Sequence, residues 1–263
     1  MSEEAGKKRA TMIIGPGQCM RIMSRKDYCE QLVQGHFRMS LISRYHSMEE
    51  DDPEIGDSQE GRRPFVGQIF LGLPSSGSND GATSQQFWPV ESTSTPVSIP
   101  EADEAVVLCG TLFGSGALDT WNETGRHFGK LSDGYTGFLS NQAGAPGCCY
   151  GVLFSIEEMA ERLSAFAEQN GLAFFHRAVE YSDEPLTAAD FARFSTGEDA
   201  ALWRILFHKR PIYRNQHEYR FAILPKPGDR SGKLKSMLCG KDYLEVSVPP
   251  LKSCKLIEVC DLA

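Results

Sequence analysis

The sequence predicts an α+β fold. Strand-sized apolar runs outnumber helix-sized periodic segments, by about eight to four or five. No regular crossover helix separates those runs, which argues against a doubly wound sheet. The longest apolar stretches, around Phe65–Leu73 and Ala105–Phe113, are strand-sized. They fall well short of the ~18 residues a membrane-spanning helix needs.

The 263-residue chain is 41% hydrophobic and 24% charged. That balance is ordinary for a globular protein and excludes a largely disordered, collagen-like or coiled-coil chain. Residues 1–11 read as a polar tail without the apolar core of a secretory signal, so the expected location is the cytoplasm and no membrane partner is expected. Residues 12–263 read as one α+β domain. The eight cysteines form no C-x-x-C pair, and are expected to be reduced and mostly core.

Along the chain, Gln18–Met23 reads as a strand. Ser24-Arg-Lys-Asp27 opens a helix over Arg25–Gln34 that Gly35 stops. His36–Ile42 is a second strand, with a short helix after it at Ser43–Met48. Phe65–Leu73 is rich in β-formers. Residues 74–104 lack Lys and Arg and are dominated by Ser, Thr, Gly and Pro. They read as a low-complexity insertion or surface loop, pinned by Phe87-Trp88. Ala105–Phe113 is a buried strand, Gly125–Gly147 a glycine-rich loop, and Cys148–Phe154 another strand. Ser155-Ile-Glu-Glu158 is a capping box whose helix runs to Asn170-Gly171. Leu172–Tyr181 is a strand, Thr187–Asp190 caps a helix, and Glu198–Phe207 makes one more. Tyr219–Leu224 is a strand. Tyr243–Val248 and Lys255–Val259 read as a closing pair.

The sequence has no P-loop, no dinucleotide G-x-G-x-x-G, no H-E-x-x-H and no G-x-S-x-G. Its net charge of −8 is uneven. Between Arg204 and Lys241, ten basic residues meet two acidic ones, which leaves −16 on the rest. Such an asymmetry suits an anionic partner, and equally a solvated basic face.

Two segments suit chemistry. On the strand from His36, Arg38 and Ser40 share a face, and a guanidinium there suits bidentate contact with phosphate. In Lys209-x-x-x-Tyr213-x-x-Gln216-His-Glu218-Tyr-Arg220, Gln216 and Glu218 stand two apart at a strand mouth. Cations at 209, 210, 214 and 220 would keep Glu218 ionised, suiting it to stabilise a developing cation. A structural salt bridge accounts for the same pattern.

Gln216-His-Glu218 just before a late strand resembles the catalytic Q-x-E turn of the mono-ADP-ribosyltransferase superfamily. Phe37-Arg-Met-Ser…Tyr45…Asp57-x-x-Glu60-Gly61 and Val179-x-Tyr181 also resemble blocks of an uncharacterised bacterial and phage domain family linked to that superfamily. The resemblance implies mixed or antiparallel sheets in a split β core flanked by helices. It implies NAD as co-substrate, with Glu218 stabilising the ribosyl cation and Gln216 orienting the acceptor. Arg38 or Arg21 would grip the pyrophosphate, beside Ser40. Tyr45 would stack on nicotinamide. The cationic stretch with Lys209, Tyr213 and Arg220 would hold phosphates or a nucleic-acid acceptor. The acceptor would be a nucleobase or a protein side chain. By analogy the enzyme would be a toxin or phage-defence effector held by an inhibitory, antitoxin-like partner protein. The S-T-S segment of the arginine-first enzymes has no match on an expected strand. Gly114-Ser115-Gly116 is its nearest substitute. Two other classes fit the residues: a metal-dependent nuclease using Glu49, Asp57 and Glu60, and a non-catalytic module that binds a nucleotide or protein.

Overall fold

The protein is described from a computed structural model. It describes residues 17–23, 25–45, 62–73, 86–92, 96–97, 100–112, 150–187, 190, 200–226, 229 and 231–258. The strands are β1 (Gln18–Met23), β2 (His36–Leu41), β3 (Arg63–Leu73), β4 (Gln86–Ser92), β5 (Pro96–Val97), β6 (Val106–Leu112), β7 (Tyr150–Ser155), β8 (Ala173–Ala178), β9 (Glu180–Tyr181), β10 (Leu186–Thr187), β11 (His208–Lys209), β12 (Glu218–Leu224), β13 (Tyr243–Ser247) and β14 (Cys254–Glu258). The helices are α1 (Lys26–Val33), α2 (Pro100–Asp103), α3 (Ile156–Gln169), α4 (Ala200–Leu206) and α5 (Lys233–Leu238), with a 3₁₀ turn over Pro211–Gln216. The fold is α+β and its sheets are mostly antiparallel. The two parallel pairs, β10 with β3 and β11 with β9, are two residues long.

The main sheet has eight strands and branches at β6. One edge of β6 carries β12 from Val106 to Thr111. The other edge is shared. β2 pairs with Val106 and Val107, and β1 with Thr111 and Leu112. Among the described residues, no strand pairs Leu108–Gly110 on that edge, so β1 and β2 diverge there. β1 leads on through β7 to β14, and β2 ends against β13.

Both faces of the centre are covered. Cys29 and Leu32 of α1, Met159 and Leu163 of α3, and Leu234 of α5 pack with Leu108, Phe154, Phe221 and Ile223. Leu202, Ile205 and Leu206 of α4 and Ala102 of α2 pack on the opposite face with Val107, Ala222 and Leu224. Burial on two faces explains why β6 and β12 read as continuous apolar runs rather than alternating ones. A fully buried side chain such as Phe221 contributes about 1.5–3 kcal/mol.

Local signals set the helix ends. Ser155 Oγ accepts the Glu158 N–H at 3.3 Å, as the capping box predicts. Glu158 is spent elsewhere: its carboxylate accepts the Lys252 and Ser253 N–H groups, tying α3 to the start of β14. Gly35 ends α1 at a φ of 82°. A Cβ there would run into the Val248 carbonyl, so the turn needs glycine.

Three expectations change. The 74–104 span contains β4, which pairs with β3 from Gln86↔Leu73 to Ser92↔Gly67. Phe87-Trp88 and Val90 are β-formers inside a Ser/Thr-rich composition, and a long partner strand outweighs that composition. β13 and β14 do not close on each other. β13 pairs with β2, and β14 with β7, at opposite ends of the sheet. Proximity in sequence gives no rule for which edge a late strand joins. The expected strand Leu172–Tyr181 is broken at Val179 into β8 and β9. The tail 1–11, the second half of Ser43–Met48, Gly114–Gly116 and Gly125–Gly147 lie outside the described residues.

Candidate active site: a buried carboxylate beside a split in the sheet

The Gln216-His217-Glu218 turn is built by a change of backbone state. Gln216 ends the 3₁₀ turn, and His217 takes a left-handed conformation with φ 43°. Histidine visits that region more readily than branched residues. The His217 carbonyl accepts the Leu112 N–H at 2.7 Å, which fixes the turn on the end of β6. Gln216 and Glu218 therefore do not meet as neighbours on one strand face. A third residue brings them together. Lys209 Nζ donates to Gln216 Oε1 at 2.7 Å and lies 2.7 Å from Glu218 Oε2.

Glu218 is buried. Arg220 Nε donates to its Oε1 at 2.5 Å, and Arg220 Nη1 donates to the Leu206 carbonyl at 2.6 Å. The Cys109 thiol lies near enough to the Glu218 carboxylate to favour its charged form. The Tyr181 hydroxyl accepts the Glu218 backbone N–H at 2.8 Å. Burial opposes the charge on Glu218. Arg220, Lys209 and the hydrogen bonds outweigh it and hold the carboxyl well below the usual range. The same burial pushes the Cys109 thiol up to about 12, helped by the neighbouring carboxylate.

The alternation of the β9–β11 ribbon makes a wall. Tyr181 and Lys209 face Glu218. Glu180, Ser182 and His208 line a separate cavity of about 600 Å³ with Asp190, Trp203 and Arg204. The ions there answer one another, Arg204 to Asp190 at 2.8 Å and Arg177 to Glu180 at 2.6 Å.

A second cavity, about 400 Å³, opens where β1 and β2 part. Arg21 comes one residue after the last β1 pair with β6, and Arg38 two residues before the first β2 pair. Both line it, with Ser40, Tyr28, Phe37, Arg44 and Tyr243 among its walls. Arg21 Nη1 donates to the Cys109 carbonyl at 2.8 Å. Arg38 lies over the Tyr243 ring at 4.4 Å and 3.8 Å from Glu245. Arg44 pairs with Asp242 at 3.2 Å. Three guanidiniums, aromatic walls and a volume in the small-molecule range suit an anionic ligand with a flat ring.

The residues singled out in the sequence thus fall into two groups. Arg21, Arg38 and Ser40 line the cavity together. Lys209, Arg220 and Gln216 gather on Glu218, and buried Tyr213 lies 5.3 Å below Lys209 Nζ. Half-buried Tyr45 lines neither cavity and packs, like Cys109, against the core on the α2–α4 side of the sheet. Burial raises its phenol, and the charges of Arg21, Glu218 and Lys209 all reach it. Sequence reasoning gave no role to Cys109, whose carbonyl meets Arg21 and which pairs with Arg220 across the β6–β12 ladder, nor to Tyr181. The Val179-x-Tyr181 block pointed near the second of these, while nothing distinguished Cys109 from the other core cysteines. Cys19 and Cys29 are buried, and the five described cysteines are free. Glu49, Asp57 and Glu60 lie outside the described residues. Among the described residues, no three His, Cys, Asp or Glu side chains gather to hold a metal, and no helix is long and apolar enough to cross a membrane.

Fold and site together define an antiparallel, branched-sheet α+β protein with a cation-lined cavity beside a buried carboxylate. Comparison of the chain with protein-family models, curated proteins and solved structures finds no match.

Proposed function

We propose that the chain is an ADP-ribosyltransferase-like enzyme that takes NAD at the split between β1 and β2 and modifies a macromolecular acceptor. One observation carries the reading. Cys109, on the central strand, accepts the cavity-lining guanidinium of Arg21 on its carbonyl and stands opposite Arg220, which holds the Glu218 carboxylate, in the β6–β12 register. The groups suited to phosphate and to a ribosyl cation are thus joined through one residue pair.

In this reading Arg21 and Arg38 hold the pyrophosphate, and Tyr45 faces the nicotinamide side. The bond between ribose C1′ and the nicotinamide nitrogen breaks. Nicotinamide leaves as a neutral base with the bonding pair, an acceptor lone pair takes its place, and the acceptor's proton passes to water. Glu218 is too weak a base to take a proton at neutral pH. It acts as a fixed negative charge in a dry interior, where such a charge stabilises a neighbouring cation most.

One observation favours a second reading, a nucleotide-binding module without catalysis. Both Glu218 oxygens are held by buried cations, as in a purely structural ion-pair network.

Incubation with NAD labelled on its adenylate half, in a lysate supplying protein and nucleic acid, tests the proposal. Label that resists protease but not nuclease marks a nucleic-acid acceptor, and the reverse marks a protein acceptor. Binding of NAD without release of nicotinamide selects the module. Neither binding nor turnover overturns both readings.

A further inference from the structure

We propose that Lys209 is the positioning residue of the Gln216-His217-Glu218 turn: one buried ammonium that orients the Gln216 amide and pins the Glu218 carboxylate. What the turn is positioned for rests on the transferase reading; that Lys209 positions it does not.

The placement follows from short-range structure. β11 is two residues long and pairs in parallel with β9, so His208 and Lys209 point to opposite sides. His208 meets Ser182, and Lys209 turns to the buried knot of charges it forms with Gln216, Glu218 and Arg220. The chain then makes the 3₁₀ turn over Pro211–Gln216, which folds back over the lysine and lays the Tyr213 ring under its ammonium. Residues seven and nine positions later return to the same nitrogen.

An ammonium donates three hydrogen bonds and accepts none. The amide of Gln216 must therefore present its oxygen to Lys209 and turn its NH₂ the other way. The lysine thus fixes which way the amide points; the carbonyl keeps a second lone pair, so Gln216 can still act as donor or acceptor.

Lys209 also shares the carboxylate with Arg220. The groups facing Glu218 are Lys209 from β11, Arg220 from its own strand, the Cys109 thiol from β6 and the Tyr181 phenol from β9. Arg21, Tyr45 and Cys19 stand a layer further out. Removing Lys209 leaves Arg220 as the one cation in direct contact with Glu218 among the described residues, so the carboxyl should titrate at higher pH.

The experiment is a ¹³C NMR titration of the Glu218 carboxyl in the wild type, Lys209→Met and Lys209→Arg, with NAD turnover measured on each folded protein. In Lys209→Met the carboxyl should titrate roughly one pH unit or more higher, the size of shift an adjacent opposite charge produces. On the transferase reading kcat should fall about tenfold or more, with KM for NAD unchanged within about twofold, as expected for a lost transition-state interaction. Lys209→Arg should restore the titration and not the turnover, because the larger guanidinium fixes its donors in a planar fork and would hold the amide and the carboxylate in a different geometry. An unchanged titration in folded Lys209→Met overturns the proposal. Should that variant not fold, full turnover in Lys209→Arg overturns it instead. A wild type that does not turn over NAD removes the transferase reading, and the titration still decides the role of Lys209.

Discussion

Glu218 and Arg38 are both charged residues on strands of one sheet, and their surroundings are opposite. The Glu218 side chain is 7% exposed and has a cation on each oxygen. The Arg38 side chain is 58% exposed, and its nearest carboxylate oxygen, on Glu245, is 3.8 Å away. A buried charge stripped of its partner has no water to turn to, whereas an exposed one does. The first region should therefore control folding and the geometry of the turn. The second should control what the molecule attracts, at little cost to stability.

The strongest way to break that division is Arg220→Met. It removes one of the two cations on Glu218 and the donor to the Leu206 carbonyl, with almost no solvent to compensate. Loss of one member of a buried ion network costs about 3–5 kcal/mol. The urea midpoint should fall accordingly. A midpoint near the wild-type value would show that the knot does not hold the fold.

Next in size is Glu218→Gln, which keeps the shape and removes the charge. On the transferase reading turnover should drop by roughly 10²–10³, the scale for one electrostatic stabiliser, while NAD still binds. Wild-type turnover would end that assignment of Glu218. The same variant isolates a pH effect. The folded carboxyl lies below the ordinary value of 4.5, so its charge contributes stability that is fully present above that value. The contribution is lost as pH falls from there through the depressed value. Wild type and variant should run parallel in unfolding free energy above about pH 5.5 and converge on acidification. Parallel curves throughout would mean that Glu218 titrates normally.

How far the sequence foretold these two regions depends on the range of the forces involved. The Ser155 cap, the α3 apolar stripe and the Gly35 stop were legible because each is decided within a few residues. The link between Glu218 and its flanking cations was legible for the same reason, since Arg220 is two residues away. The split was not legible. It arises because β1 and β2 compete for one edge of β6, and nothing in Gln18–Met23 or His36–Leu41 says where each lets go. That is why Arg21 and Arg38 stood as alternatives in the sequence and stand together in the cavity. Lys209 looked like one cation among several. Its role depends on a two-residue parallel ribbon that no periodicity announces.

In the exposed region, Arg21→Lys is the sharper test. Lysine keeps the charge and loses the fork that reaches both the Cys109 carbonyl and a ligand. NAD affinity should weaken by about tenfold, or ~1.4 kcal/mol, with an unfolding midpoint close to wild type. An equal loss of stability would place Arg21 with the buried knot rather than with the cavity.

The smallest effect has the most particular sign. Glu245 stands across from Arg38 in the β2–β13 register and also lies 3.4 Å from Lys241. It is the carboxylate nearest to Arg38, and an anionic ligand would compete with it. Glu245→Gln should leave stability within about 0.5 kcal/mol, as exposed pairs do. It should tighten NAD binding by up to about threefold, because a loose ion pair of this kind is worth less than ~1 kcal/mol. The gain should shrink as salt rises, since screening weakens the competing pair and the ligand contact alike. Weaker binding in Glu245→Gln would mean that Glu245 orients Arg38 for the ligand rather than competing with it, and that the cavity depends on its ion pairs as the knot around Glu218 does.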